Sequence, residues 1–228
     1  MLVKDKKIAI VGGGPGGLTL ARLLQLKGAQ VSVYERDAHK GVRVQGATLD
    51  LHETSGLEAL RRAGLTEAFY QQYRPEAGKL RIIDTAGYIH HDEHAGPDSF
   101  AEDRPEIDRG PLRNILMDAL LPDTIVWDSQ FTTMQAQGEG WLLSFKNGHT
   151  AYADIVIAAD GANSRIRPYV TDIQPIYSGI TIIEGTIYHA AKNAPDLYTL
   201  VNGGKVFALS GDHSLILSAK GDGSLSFY

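Results

Sequence analysis

Six residues, Gly12-Gly13-Gly14-Pro15-Gly16-Gly17, join a short apolar run to a helix-forming one. The apolar run is Lys7-Ile8-Ala9-Ile10-Val11, and the helical run spans Leu18 to Lys27. A second β-rich run, Gln30 to Tyr34, follows and ends in Glu35. This pattern can bind a pyrophosphate. Gly12 permits a tight turn out of the strand. Gly14 lacks a Cβ, so the backbone can approach a phosphate closely, and the neighbouring Pro15 is counted with it as cofactor-binding. Gly17 lets the helix pack on the sheet. The helix start then offers free N–H groups and the positive end of its dipole. Glu35 can accept from both hydroxyls of an adenosine ribose and repels a 2′-phosphate, so FAD or NAD fits here and NADP does not. A glycine-rich turn with no ligand is the plain alternative. The complete strand–turn–helix–strand unit, closed by an acid about twenty residues on, argues against it.

A second constellation lies far downstream. Asp154 to Ala159 is a continuous apolar strand pattern, expected to be buried on both faces, and it delivers Asp160 to a turn at Gly161. In open α/β sheets, ligands collect at the carboxyl ends of the strands. Asp160 there can accept from ribityl or ribose hydroxyls, or simply cap the turn. Arg109 and Arg113 stand four apart in a predicted helix and share a face. Two guanidinium groups could clamp a pyrophosphate; a solvated basic face is the alternative. His90-His91-Asp92-Glu93-His94 has metal-ligand residue types, but its context reads as an exposed polar loop, and no metal is assigned.

The elements that must carry these residues follow from pattern. Leu57 to Ala63 reads as a helix stopped by Gly64. Leu80 to Asp84 and Tyr88 to His91 read as a hairpin. Asp108 is a plausible N-cap for a helix over Arg109 to Leu120, with Pro111 in the first turn and Pro122 closing it. Trp141 to Lys146 and His149 to Tyr152 flank Asn147-Gly148, a strong hairpin signal. Beyond Gly179 the pattern is β-rich: Ile180 to His189 reads as a long strand. Asn202-Gly203-Gly204 and Gly221-Asp222-Gly223 read as turns of an antiparallel meander. Ser224 to Tyr228 reads as a strand in which the chain stops, which suggests part of a longer protein.

Composition limits the classes. In 228 residues there are no cysteines, so disulfides, thiolate metal sites, cysteine nucleophiles and cysteinyl-flavin links are excluded. The net charge of −5, with scattered basic residues, gives no nucleic-acid surface. No apolar run is long enough to cross a membrane and the start lacks a signal-peptide core, so a cytoplasmic protein is the default.

Together these residues resemble the aromatic-hydroxylase (group A) FAD-dependent monooxygenases. Gly12 to Gly17 with Glu35-Arg36 match that family's first motif, and Asp160-Gly161 with Ser164 and Arg167 match its second. Within that family, Val33 to Asp37, Gly46 to His52, Pro105 to Arg109 and Thr124 to Asp128 resemble the tetracycline-inactivating members, the tetracycline destructases. The resemblance implies an α/β, GR2-type, Rossmann-like FAD-binding domain over 1–80 and 105–170. A second, mainly antiparallel β-sheet substrate domain, C-terminally truncated, is implied over 81–104 and 171–228. It implies FAD as cofactor, NADPH as co-substrate bound without its own Rossmann domain, and O2 as oxygen source. Through a flavin C4a-hydroperoxide, one oxygen would pass to a phenolic or polycyclic substrate, tetracycline first. By position it further implies Arg43 near flavin and nicotinamide, Asp50, Arg109 and Arg113 as FAD contacts, and Glu184 and Lys205 as substrate contacts. No acid, base or nucleophile is named, because the cofactor carries the chemistry. A downstream Gly-Asp motif of that family is absent, so a complementary C-terminal half is a partner this reading allows. Another aromatic or polyketide hydroxylase, an FAD-linked reductase or oxidase, and an inert FAD-binding fragment remain the alternatives.

Overall fold

The computed structural model describes residues 3–42, 48–95, 105–211 and 213–228. In chain order these form β1 (Lys7–Val11), α1 (Pro15–Gln25), β2 (Gln30–Tyr34), β3 (Thr48–Asp50), α2 (Gly56–Ala63), α3 (Thr66–Tyr70), β4 (Leu80–Ile83) and β5 (Ile89–Asp92). Then come β6 (Glu106–Asp108), α4 (Arg109–Asp118), β7 (Ile125–Val126), β8 (Phe131–Gln137), β9 (Gly140–Phe145), β10 (Thr150–Ala153) and β11 (Ile155–Ala158). The last stretch holds β12 (Gly185–Ile187), α5 (Ala190–Asn193), α6 (Pro195–Val201), β13 (Lys205–Ser210), β14 (His213–Ala219) and β15 (Leu225–Phe227). The chain divides into two compact units, one of Met1–Val44, Arg62–Leu65 and Arg113–Tyr177, the other of Gln45–Arg61, Thr66–Leu112 and Ser178–Tyr228. The α/β class with a parallel sheet and a mainly antiparallel one, expected from the sequence, is what these elements build.

In the first unit a parallel sheet has the order β11-β1-β2-β7. β1 is flanked on both sides, so its Ile8, Ala9, Ile10 and Val11 are all buried. α1 packs on this sheet through Leu18 and Ala21. The antiparallel sheet β10-β9-β8 contributes Phe131, Met134, Leu143 and Phe145 to a core shared with Ala9, Val11 and Tyr34. Tyr34 stacks on Phe145 at 4.7 Å, and burial raises its phenol pKa. The expectation that β11 is buried on both faces is corrected. Among the described residues it is an edge strand, half-buried, with Ala158 exposed.

In the second unit a six-stranded sheet has the order β12-β15-β14-β13-β4-β5. One face carries Ile83, Val206, Leu217 and Leu225, which pack with Ala190 and Val201 of α5 and α6. Four expectations are corrected here. The long strand over Ile180 to His189 is paired only at β12. Ile180, Ile182 and Ile183 lie exposed. The meander is interrupted by α5 and α6, whose Leu197, Leu200 and Val201 carry the i, i+3, i+4 pattern of a helix. Asn202-Gly203-Gly204 ends α6 and makes no hairpin. Asn202 takes φ 47° and its N–H donates to Tyr198 O at 3.1 Å. The His90–His94 stretch is strand through Asp92, followed by a 3-10 turn.

His94 gives this unit an acid sensitivity. Its Nδ1 accepts from Asn202 at 3.2 Å, while its Nε2 is buried without a partner. Burial first, and the Arg81 charge second, hold its pKa below the ordinary 6.5. The unfolded chain therefore takes up this proton first, so stability is full above pH 6.5 and falls as the pH drops below it. Denaturant unfolding from pH 7.5 down to about 5 should lose a component that His94→Gln removes. Parallel profiles for the two proteins would refute it.

Candidate FAD-binding site

The glycine turn divides its labour by position. Gly12 has φ 114°, and a Cβ there would sit 2.2 Å from Ala159 O, where β11 ends beside it. A Cβ on Gly17 would lie 2.1 Å from Gly12 O. These two glycines are required by protein packing. Gly14 and Gly16 face open space, and a Cβ on either would have no atom within 4 Å. Gly14 is the N-cap of α1, no side chain caps that end, and Pro15 opens the first turn. The start of this helix therefore presents uncapped backbone donors above a bare backbone surface.

Glu35 closes the unit at the end of β2 and is 6% exposed. Its Oε2 accepts from Gly13 N–H at 2.8 Å and its Oε1 from Asp37 N–H at 3.0 Å. The carboxylate thus fastens the second glycine of the turn, and a carboxylate has lone pairs enough to accept a ligand hydroxyl as well. Arg36 is exposed.

At the end of β11, Asp160 Oδ2 accepts from Arg165 N–H at 2.8 Å, while Oδ1 is buried without a hydrogen-bond partner. Gly161 has φ 84° and an open Cβ direction. Ser164 Oγ accepts from Arg167 N–H, and Arg167 Nη2 donates to Ala162 O at 2.7 Å. The motif is a self-bonded turn that leaves one carboxylate oxygen over. Ala159 N–H donates to Val11 O and Gly12 N–H to Tyr34 O, both at 2.9 Å. Three strand ends therefore converge on Gly12, and the first unit brings Gly12, Gly14, Pro15, Gly17, Glu35, Asp160 and Gly161 into one place. Arg113 joins them, with Nε donating to Gly13 O at 3.0 Å.

The other expected residues belong to the second unit or fall outside the described residues. Arg43 lies outside the described residues. In the second unit Asp50 is exposed and lies 3.7 Å from His52 Nε2. Arg109 is half-buried with its Nε unpartnered. Asp108, expected as the N-cap of α4, has its carboxyl engaged by distant segments of the second unit. Its Oδ2 accepts from Gly221 N–H at 2.8 Å and its Oδ1 lies 3.4 Å from Arg74, which also donates to Ala219 O and Gly203 O. Glu184 is exposed. The Lys205 ammonium is bonded to Glu106 Oε1, a carboxylate only 3% exposed.

One feature escaped sequence reading. Lys205, Ser218 and Ser226 are successive cross-strand partners on β13, β14 and β15. The two serine hydroxyls are buried without partners, as is Glu106 Oε2. A polar row thus crosses the sheet on the face opposite the apolar core. The alternation Leu217-Ser218-Ala219 and Leu225-Ser226-Phe227 was the available signal, hidden because serine in a strand reads as solvent-facing.

The open Gly14 cradle, the uncapped helix start and the unpartnered Asp160 oxygen fit an adenine dinucleotide. A model of the family described as FAD binding domain matches residues 5–209. The chain belongs to the FAD binding domain family. Among this family member's relatives are the monooxygenase asqM of Emericella nidulans and the 6-hydroxynicotinate 3-monooxygenase of Pseudomonas fluorescens. The first is 31% identical over 95% of this chain and 52% of its own length, the second 32% over 77% and 46%. The chain spans about half the length of the curated relatives it matches. Among solved structures, 2,6-dihydroxypyridine-3-hydroxylase from Arthrobacter nicotinovorans superposes with a TM-score of 0.77 at 21% identity, over 98% of this chain and 56% of that one. The tetracycline destructase Tet(51) superposes with a TM-score of 0.70 at 20% identity, over 97% and 55%. These structural likenesses are of fold. The kinship with flavin monooxygenases read from the sequence is borne out at the level of family and fold. No helix of the described residues is long and apolar enough to cross a membrane.

Proposed function

We propose that this chain provides the FAD-binding part of a flavin-dependent monooxygenase that hydroxylates a hydroxyl-bearing aromatic or polyketide ring. NADPH is the reductant and O2 the oxygen source. The unpartnered, buried Asp160 oxygen beside the open start of α1 carries this reading, since buried polar atoms are rarely left without a partner. The glycine turn and α1 hold the pyrophosphate. Glu35 takes the adenosine ribose and Asp160-Gly161 a ribityl or ribose hydroxyl. Arg109 and Asp50 stay assigned as FAD contacts, and Arg43 to the flavin and nicotinamide side. Bound FAD supplies electron transfer from NADPH and oxygen activation. The residues of this chain bind, orient and exclude water.

Several relatives carry names of enzymes that hydroxylate small aromatic acids or pyridines, such as 3-amino-4-hydroxybenzoate 2-monooxygenase of Streptomyces platensis. An electron-rich, hydroxylated ring is therefore the substrate class supported most broadly. Tetracycline, with its phenolic ring, is the first compound to try, with Glu184 and Lys205 kept as its assigned contacts.

The test is a flavin absorbance spectrum on the mass-checked protein, followed by NADPH consumption with and without tetracycline, 4-hydroxybenzoate and hydroxypyridines. Stoichiometric FAD, bleaching by NADPH without oxygen, and consumption stimulated by one ring class are the expected results. A colourless chain with no measurable affinity for added FAD would overturn the cofactor assignment. Bleaching by dithionite alone would overturn the nicotinamide assignment. Because the chain spans about half of its relatives, the same assays are repeated with a relative's remaining half supplied as a second polypeptide.

A further inference from the structure

Helical spacing pairs Arg113 with Arg109 as a cofactor clamp, yet the Arg113 side chain is 6% exposed and faces the protein. Nε donates to Gly13 O at 3.0 Å. Nη2 lies 3.6 Å from Glu35 Oε2 and 3.6 Å from Asp37 Oδ2. The guanidinium carbon sits 5.6 Å from the centre of the Trp127 ring. The same Glu35 Oε2 accepts from Gly13 N–H at 2.8 Å. Gly13 is therefore gripped on both sides, its N–H by a carboxylate and its C=O by a guanidinium, and the two gripping groups lie against each other.

The rest of the network is equally local to the first unit. Asp37 is 7% exposed, and its N–H donates to Glu35 Oε1. Residues 35–37 are fastened to the end of β7 and the segment after it. Glu35 N–H donates to Val126 O, Ser129 N–H to Glu35 O and Asp128 N–H to Asp37 O. Trp127, which the guanidinium overlies, belongs to that segment. A planar fork of donors is suited to this task, because one edge meets the Gly13 carbonyl while another faces two carboxyl groups and the flat face lies on an indole.

We propose that Arg113 is a positioning residue for the phosphate-binding turn, acting through Gly13 and Glu35 and not by touching phosphate. Its ligand consequence rests on the FAD reading above; its structural consequence does not. By holding the Gly13 carbonyl away from the ligand side, Arg113 keeps the N–H groups around the start of α1 aimed outward. By facing Glu35 and Asp37 with positive charge, it keeps both carboxyl groups in place beneath the adenosine ribose position. Lysine can supply the charge but not the simultaneous bond to Gly13 O and contact with Trp127.

The test combines amide hydrogen exchange with a double-mutant cycle. In Arg113→Met the Gly13 amide should exchange at least tenfold faster, and FAD and ADP affinity should fall together by at least tenfold. Arg113→Lys should recover most of the thermal midpoint yet keep the raised Gly13 exchange. In an Arg113→Met/Glu35→Gln double variant the affinity loss should be much less than the product of the two single losses, because both act on one residue, Gly13, and on each other. An unchanged Gly13 exchange rate with multiplicative losses would overturn the proposal in favour of direct phosphate contact. If wild type binds neither FAD nor ADP, the cofactor reading fails; Gly13 exchange and the cycle on thermal midpoints then decide the proposal alone. Should Arg113→Met not fold, exchange in Arg113→Lys decides it.

Discussion

Alanine at Gly12 is expected to cost the first unit its fold, whereas alanine at Gly14 costs it only the ligand. A Cβ on Gly12 would stand 2.2 Å from Ala159 O and 2.6 Å from its carbonyl carbon, both backbone atoms that cannot swing aside. Overpacking of this kind costs about 1–3 kcal/mol. The φ of 114° adds strain that L-residues bear poorly, on the order of 1–3 kcal/mol. Together these come to about 2–6 kcal/mol, which at its upper end reaches the stability of a marginal domain, about 5 kcal/mol. At Gly14 the φ is −77° and no atom lies within 4 Å of the new methyl group. Stability there should change little, since the roughly 0.4–1 kcal/mol gained by restricting the unfolded chain is offset by alanine's poorer fit than glycine at a helix N-cap. FAD affinity should nonetheless fall about a hundredfold, roughly 2.7 kcal/mol, because that methyl enters the space the pyrophosphate would fill. Urea unfolding and FAD titration of both variants provide the check. A Gly14→Ala protein that binds FAD like wild type would show that the turn does not hold the phosphates.

The second large effect is expected at Lys205→Met. Glu106 is 3% exposed and its Oε2 already lacks a partner. Removing the ammonium from Oε1 leaves a buried carboxylate with nothing to face it, at a cost of about 3–5 kcal/mol. Changing both residues, Lys205→Met with Glu106→Gln, should restore much of this loss, because no buried charge is left behind. The measurement is the denaturation midpoint of the two variants at pH 7.5. If Lys205 acts only on substrate, the single variant instead keeps its midpoint and raises KM. The outcome decides between a structural lysine and a substrate-contacting one at the position the sequence resemblance singles out.

Some of this molecule is readable without coordinates. The β1–α1–β2 unit is legible because each signal in it is local. A β-branched run, a Gly-Pro-Gly turn and an amphipathic helix all act within a few residues of one another. The hairpin at Asn147-Gly148 is legible for the same reason. The α5–α6 pair is not, although its leucine spacing is present, because the surrounding glycines and β-branched residues read as a meander. The composition of β11 is that of a buried strand. Burial depends on what lies beside a strand, and β11 stands at an edge.

By itself, the sequence determined the β1–α1–β2 unit and the family it belongs to, through the glycines at 12, 14 and 17 and the acid at 35, because each of these signals acts through backbone shape within a few residues. It also placed Asp160-Gly161 at a strand end. Only the tertiary structure decided how individual charged groups are used. Arg113 meets Gly13 across 100 residues, Lys205 meets Glu106 across 99, and Asp108 meets Gly221 across 113. No local pattern encodes such pairs, since a guanidinium on a helix face looks the same whether phosphate, solvent or a carbonyl awaits it. The partner is set by the packing of distant elements, and that packing turns Arg113, expected as a phosphate clamp, onto the Gly13 carbonyl.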